Sequence, residues 1–503
     1  MVKKIAFLLD ATGEYYGGAT NTIIYQAVLM SNITSVIVII PINDRGIYCK
    51  KSEELCKKYG LKYSFLNYTT SFSIRSIDLI AAYNDMEQLE QFVINNDISL
   101  LHCSQINITA EMVARKIKIP LIMNIYSIEN WELEMLPHKI FPCFICSDSE
   151  MWCSLWKKYL HNITICVRAF SQNNVVPKGY SKEIVIGIVG TVCDYKNQLS
   201  AIKSIERLEK VKLLIVGDDT SYYAQICKEY VKDKKLENKV IFIGFCTNME
   251  MIWKQIDVLL CVSMRESFPA SIVEAMAANI PIISTPVAGI PEVLTNENAY
   301  LINGYDVDKI EESIRKYVND YQKRLVAKIR IKEQETYINY FSKEAVTKQL
   351  IAMYERVIKC YDCAKHKAEE IYDEVNNIIP FREKIEQLKV PEKEKIELKK
   401  RLFYYWILQD KVKDRKCYIW GAGEWGKRAE IVIDKLWQNI KILSYIDNYK
   451  TGFFNNYPII RPQEIVNDGD TCVFISFVGD SSKTKHFLED KGFKVLENIF
   501  FIV

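Results

Sequence analysis

The chain has 503 residues, 66 Lys and Arg against 63 Asp and Glu, a formal net charge of +3, and 49% apolar residues. This length exceeds one ordinary hydrophobic core and suits about three domains, while the composition is that of a water-soluble globular protein. The near balance of charge gives no reason to invoke a nucleic-acid partner, and no segment approaches the roughly 20 consecutive apolar residues of a membrane-spanning helix.

The opening "MVKKIAFLLDATGEYYGG" has the outline of a signal peptide. Asp10 breaks its short apolar run before any small-residue cleavage site, so it reads as a buried first strand and the expected location is cytoplasmic. Up to about residue 170, the bursts "KIAFLL", "SVIVIIPI", "SLLHCS", "PLIMNIYS" and "FPCFICSD" alternate with helical stretches. Short apolar runs bounded by turn residues and separated by helices predict a parallel sheet covered on both faces. The cycle restarts after "VPKGYSKE" with "IVIGIVG", "KLLIVGDD", "KVIFIGF", "DVLLCVS" and "PIISTP", which predicts a second parallel sheet.

Residues 361–414 hold no strand-like run, are rich in Lys and Glu, and are divided by Pro380 and Pro391, so they read as a helical connector. Within and just beyond it, "KKRLFYYWILQDKVKDRK" places basic flanks around an aromatic-aliphatic centre. That pattern fits the buried face of a connector helix, and it also fits peripheral contact with an anionic membrane face. A third, smaller alternation over 415–503 comprises "KCYIWGAGEWG", "IKILSYIDN", "TCVFISF" and "KVLEN". Here Gly421, Gly423 and Gly426 keep a G-x-G-x-x-G spacing after a strand and at a helix start, and Asp447 closes the next strand where a ribose-binding acid belongs. Both a second nucleotide site and a degenerate unit used for docking or homo-oligomer formation fit this segment. The pairs Cys143/Cys146 and Cys360/Cys363 have zinc-ligand spacing, but they sit in an apolar strand and a distant charged helix, so buried thiols are expected and no metal.

The chemistry concentrates in "MRESFPASIVEAMAANIPIISTPVAGIPEVL", residues 264–294. The strand "DVLLCVS" leads into the loop "MRESFP", with Pro269 suited to the first helical position. Amides of Ala270, Ser271 and the next residue, with the helix dipole, favour an anionic group such as a diphosphate. One Glu at such a mouth is readily a dipole-stabilising acid. A pair does more: Glu266 can accept hydroxyls of a sugar beside the diphosphate, and Glu274 those of a ribose.

This stretch resembles the signature of retaining GT-B glycosyltransferases of family 4, in which an acid, seven spacers and Glu run into "EAMA", a Pro-led strand and a "GIPE" loop. The likeness covers roughly residues 1 to 360 and is strongest from 184 to 294. It implies an α/β GT-B fold, two Rossmann-like parallel-sheet domains facing a cleft, with the connector and a small C-terminal Rossmann-like domain appended. The N-terminal acceptor domain would span 1–170, with a returning helix at 342–360 ("FSKEAVTKQLIAMYERVI"), and the donor domain 171–341.

The resemblance implies a metal-independent retaining transfer with no cofactor, from a UDP- or GDP-type nucleotide sugar to a polysaccharide, lipid-linked or protein acceptor. Glu266 and Lys196 would carry catalysis. The donor would meet Gly17, Gly18, Tyr126, Thr191, Lys196, Ser267, Phe268, Pro269, Ala270, Ser271 and Glu274. Two positions depart from the pattern: Thr191 stands where the family usually has Arg, and Tyr126 where it usually has His. His102, in "LLHCSQ", is either an acceptor or sugar contact or a core histidine. These departures keep a second function class open, a non-catalytic nucleotide-sugar-binding subunit that stabilises or targets a partner transferase.

Overall fold

The computed structural model describes residues 3–11, 17–43, 45–68, 70, 79–126, 143–159, 164–171, 175, 179–246, 248–364, 383–399, 405, 408–409, 411–437, 439–477, 481–495 and 497–502. Three sheets organise it. The first contains β1 (Lys4–Leu8), β2 (Ser35–Pro41), β3 (Tyr63–Leu66), β4 (Leu100–Cys103), β5 (Leu121–Asn124), β6 (Cys143–Ser147) and β7 (Thr164–Cys166), all parallel, in the order 3-2-1-4-5-6-7. The second contains β8 (Ile184–Val189), β9 (Val211–Val216), β10 (Val240–Gly244), β11 (Val258–Cys261), β12 (Ile282–Ser284) and β13 (Tyr300–Leu301), in the order 10-9-8-11-12-13. The central strands are continuous apolar runs because both their faces are covered; Ile5 to Leu9 have no exposure at all.

Every burst read in these two units forms a strand. Three strands, β3, β7 and β13, went unread. The first two are edge strands with only half-buried residues such as Tyr63, Ser64 and Thr164, and the third is two residues long. None carries the apolar run that marks a central strand.

The third sheet holds β14 (Lys416–Trp420), β15 (Lys441–Ile446), β16 (Gly452–Phe454), β17 (Tyr457–Ile460), β18 (Thr471–Ile475) and β19 (Ile499–Phe501), in the order 16-17-15-14-18-19. Two expectations change here. At "KVLEN" the described residues turn instead: amides of Glu497, Asn498 and Ile499 all point back onto the Lys494 carbonyl, and the strand β19 begins at Ile499. The antiparallel pair β16–β17 was also missed, although Asn455 and Asn456, at φ 46° and 71°, are the residues a tight two-residue hairpin favours.

The helix Lys343–Ala364 returns to the first unit and runs past residue 360. Val346, Leu350, Met353, Tyr354, Val357 and Tyr361 recur at helical spacing and are buried in a core that joins the first and third units. The described members of the 399–416 stripe enter that core. Tyr405, Leu408 and Val412 are fully buried, and the Tyr405 carbonyl accepts the Trp437 indole N–H at 2.8 Å. Positions 400–404, 406, 407 and 410 of the stripe lie outside the described residues. Among the described residues no helix is long and apolar enough to cross a membrane. Cys146 is buried on β6 and Cys360 half-buried on the returning helix, and the described residues contain no cluster of three or more potential metal ligands.

One core group is anomalous. Glu333, on the helix Val326–Tyr340, has no exposure, and neither carboxylate oxygen has a hydrogen-bond partner. Burial therefore holds its carboxyl well above the usual range, only partly opposed by Arg330. The folded chain keeps a proton that the unfolded chain loses, so this group makes stability fall as pH rises above the ordinary carboxylate range. Glu333→Leu should raise stability by about 1–3 kcal/mol in urea unfolding, with a gain that grows from pH 5 to pH 8.

Candidate functional site

In the second sheet the strand order reverses between β8 and β11, and the crevice beyond their carboxyl ends is where such sheets bind ligands. The loop after β8 begins at Gly190, φ +144°. Gly217, φ +148°, lets it pass: a Cβ there would stand 2.1 Å from the Gly190 carbonyl oxygen. The 3-10 turn Asp194–Lys196 follows, and the Tyr195 carbonyl accepts the Met264 amide at 2.7 Å, tying the loop after β8 to the loop after β11. Lys196 Nζ lies over Gly190 and donates to Glu266 Oε1 in a largely buried ion pair, with side chains 18% and 11% exposed. Burial by itself would weaken the ammonium's hold on its proton. The negative field of Glu266 outweighs it, and the Lys196 pKa is raised.

The helix Ala270–Ala277 starts one residue later than expected. Pro269 is its N-cap, not its first residue, with ψ 122° and its carbonyl accepting the Ile272 amide at 3.0 Å. Ala270 is exposed and Ser271 half-buried at the mouth of the crevice. Phe268 contributes only its backbone there, because its ring is buried against Phe341 at 5.1 Å. Glu274 lies one turn below Ala270 on the same helix face. It is half-buried, and desolvation pushes its carboxyl up to about 7 against the opposing Trp253 hydrogen bond. Thr191 is exposed beside Gly190, and its carbonyl accepts Gln198 Nε2 at 2.9 Å.

The first sheet reverses order between β1 and β4. Gly17, extended at φ −134° and ψ 178°, caps the helix Gly18–Ser31, and a Cβ at Gly18 would meet nothing within 4 Å. No protein neighbour demands glycine at Gly18, and the space above it is open. Tyr126 follows β5; its hydroxyl is buried beside Thr22 and Asn124 without a well-formed hydrogen bond, and burial keeps the phenol neutral. His102 takes the core alternative. It is fully buried, with Nδ1 2.7 Å from the Tyr354 hydroxyl and Nε2 2.9 Å from Asn124 Oδ1, and burial drops its pKa to about 4. Neither ring nitrogen is left for a sugar.

The sequence reading missed Asp148, Arg168 and Glu292. Asp148, just past β6, accepts the Ser267 hydroxyl across the crevice, and burial pushes its carboxyl up to about 7. Nothing in "CSDSE" marks this acid, because its partner is distant in sequence. Glu292 did stand in view, in "GIPE", but without a role.

In the third unit the three glycines take fingerprint geometry. Gly421 has φ +116°, Gly423 caps the helix Glu424–Ile431, and a Cβ on Gly426 would stand 2.1 Å from the Gly421 carbonyl oxygen. Asp447 departs from the ribose-binding expectation. Oδ1 accepts the amides of Tyr449 and Lys450 at 2.8 and 2.9 Å and Oδ2 that of Ala422 at 3.2 Å, while Lys450 Nζ donates to the Ala422 carbonyl. The acid is committed to the chain's own backbone, which also holds its pKa below the ordinary value despite partial burial.

Comparison with known proteins agrees with this layout. Residues 171–334 match the family model "Glycosyl transferases group 1". The chain is 29% identical over 149 residues to N-acetyl-alpha-D-glucosaminyl L-malate synthase of Bacillus anthracis, covering 29% of this chain and 38% of that protein. It is 26% identical over 196 residues to the capsular polysaccharide biosynthesis glycosyltransferase CapM of Staphylococcus aureus, covering 37% and 51%. The chain thus spans between a third and about half of these relatives' lengths. Its fold matches Anabaena Alr3699/HepE in complex with UDP and glucose at a TM-score of 0.58 and 16% identity, over 71% of this chain and all of that one. The first two units therefore form a GT-B fold, and the second of them carries the match to the glycosyl transferases group 1 model.

Proposed function

We propose that the protein transfers a sugar from a nucleoside-diphosphate donor to a glycan, lipid-linked or protein acceptor, with retention of anomeric configuration and without a metal. The observation that carries this reading is the Lys196–Glu266 pair above Gly190, with the mouth of the helix Ala270–Ala277 beside it and Glu274 one turn in. An ammonium and first-turn amides suit a diphosphate, while two carboxylates suit the hydroxyls of sugar and ribose. A bound diphosphate competes with Glu266 for Lys196, and the released carboxylate is then available to the sugar. As the bond from the anomeric carbon to the diphosphate breaks, Lys196 and the amides stabilise the charge on the leaving group. The acceptor oxygen bonds that carbon from the same face, and its proton passes to the departing phosphate. The open space above Gly18, at the helix that Gly17 caps, leaves room for the diphosphate from the other side. The names of the relatives, a malate glycoside synthase and a capsule transferase, support activity on soluble or polymeric acceptors.

Thr191, which leaves the diphosphate one cation short of the family pattern, favours the alternative of a non-catalytic binding subunit. Incubation of the full chain with UDP- and GDP-sugars in EDTA separates the two. Steady release of nucleoside diphosphate supports transfer; tight donor binding with no turnover on any acceptor supports the subunit.

A further inference from the structure

We propose that Asp148, Arg168 and Glu292 form a clasp between the first and second units and act as positioning residues for the Glu266 loop. Its catalytic consequence rests on the transfer reading above; the clasp itself rests on geometry. Glu292 ends the 3-10 turn Ile290–Glu292 of the second unit and reaches into the first. Its Oε2 accepts the Glu150 amide at 3.0 Å and its Oε1 the Met151 amide at 2.8 Å, in the opening turn of the helix Glu150–Tyr159. First-turn amides lack partners in their own helix, so a carboxylate from the other unit satisfies two of them and meets the positive end of the dipole.

Arg168, just past β7 in the first unit, secures this carboxylate. Nη2 donates to Glu292 Oε2 at 2.6 Å and Nη1 to the Asp148 carbonyl at 2.8 Å, and Arg168 is only 7% exposed. The Asp148 carboxylate accepts the hydroxyl of Ser267, the residue next to Glu266. Between these contacts lies Gly289, whose amide donates to the Ser267 carbonyl at 3.1 Å. A Cβ at Gly289 would stand 2.5 Å from Ser149 Cβ and 2.9 Å from the Ser267 carbonyl oxygen. The Gly289 backbone is ordinary, φ −74°, so glycine is required there by the close contact between the units. The Glu266 loop is therefore held by Tyr195 of its own unit and by Asp148 of the other. Opening the clasp moves Glu266 relative to anything lying on the first unit and admits water to the crevice.

The test needs no turnover in its first arm. Fluorescence transfer between dyes at exposed positions 54 and 232, one in each unit, reports their separation in the donor-free full chain. Gly289→Ala, a wedge, together with Arg168→Ala and Asp148→Ala, should each shift the distribution to longer distances. Asp148→Asn keeps an acceptor for Ser267 and should retain the parental distribution. In the second arm the three opening variants should lose about tenfold or more in kcat, with donor KM nearly unchanged and a larger share of donor lost to water. A Gly289→Ala chain with intact circular dichroism and parental distances overturns the clasp, as does a parental chain that already samples the long distances. If the parental chain turns over no donor, the transfer reading fails while the distance arm still decides the clasp.

Discussion

Replacing Lys196 by alanine should lower kcat by about 10²–10³-fold, the usual cost of removing one preorganised donor from a developing anion. Lys196 lies over Gly190 at the strand-order reversal of the second sheet, where its ammonium pairs with Glu266 and sits 5.7 Å from the Tyr195 ring centroid. The effect on kcat should exceed the effect on donor KM, because the leaving group gains charge as the bond breaks. Stability should fall as well, since Glu266 is left largely buried without its partner. Lys196→Arg, which keeps the charge, should recover part of the rate. The measurement is nucleoside diphosphate release at saturating donor, alongside thermal unfolding to confirm that the variants are folded. An alanine variant within threefold of the parental kcat would remove Lys196 from the mechanism.

Donor binding should strengthen as pH rises through about 7 and then level off. Desolvation pushes Glu274 up to about 7, so the free protein holds a proton there at mildly acid pH. Ribose hydroxyls donate to a carboxylate and favour its charged form, so binding expels that proton. Affinity should then gain at most about tenfold per pH unit below 7. The same raised pKa makes Glu274 a destabilising group: its contribution to stability falls as pH climbs from the unfolded carboxylate value toward about 7. A nucleotide sugar is the right probe, because its diphosphate diester does not titrate near neutrality. Glu274→Gln should flatten the pH profile and weaken binding by about 10–100-fold, the loss of one or two charge-assisted hydrogen bonds. Asp148 titrates in the same window, and any slope remaining in Glu274→Gln belongs to it. Calorimetry in buffers of different ionisation enthalpy counts the proton directly. No proton release at pH 6.5 would sink the ribose role.

Periodicity alone located the strands buried on both faces, because such a strand must be an unbroken apolar run, as in Ile5–Leu9 or Val258–Cys261, whereas the interior but half-wet β17 escaped it. The order of strand, loop and helix mouth also drew attention to Glu266 and Glu274, whereas Lys196 came only from the resemblance to the family. Edge strands such as Tyr63–Leu66 stayed hidden because half their surface is wet and their residues are mixed.

Tertiary structure decided what distance along the chain conceals. His102 looked equally suited to a sugar or a core until Tyr354, 252 residues away, took its Nδ1. Asp447 sits where a ribose acid belongs, yet three nearby amides engage it, and that depends on how the turn at Tyr449 and Lys450 folds back. Asp148 and Glu292 gain their roles from partners more than a hundred residues distant. Local sequence determines which segments are strands, helices and loops, since backbone sterics and burial act over a few residues. Which charges meet, and which glycine must be bare, depends on how whole sheets come together.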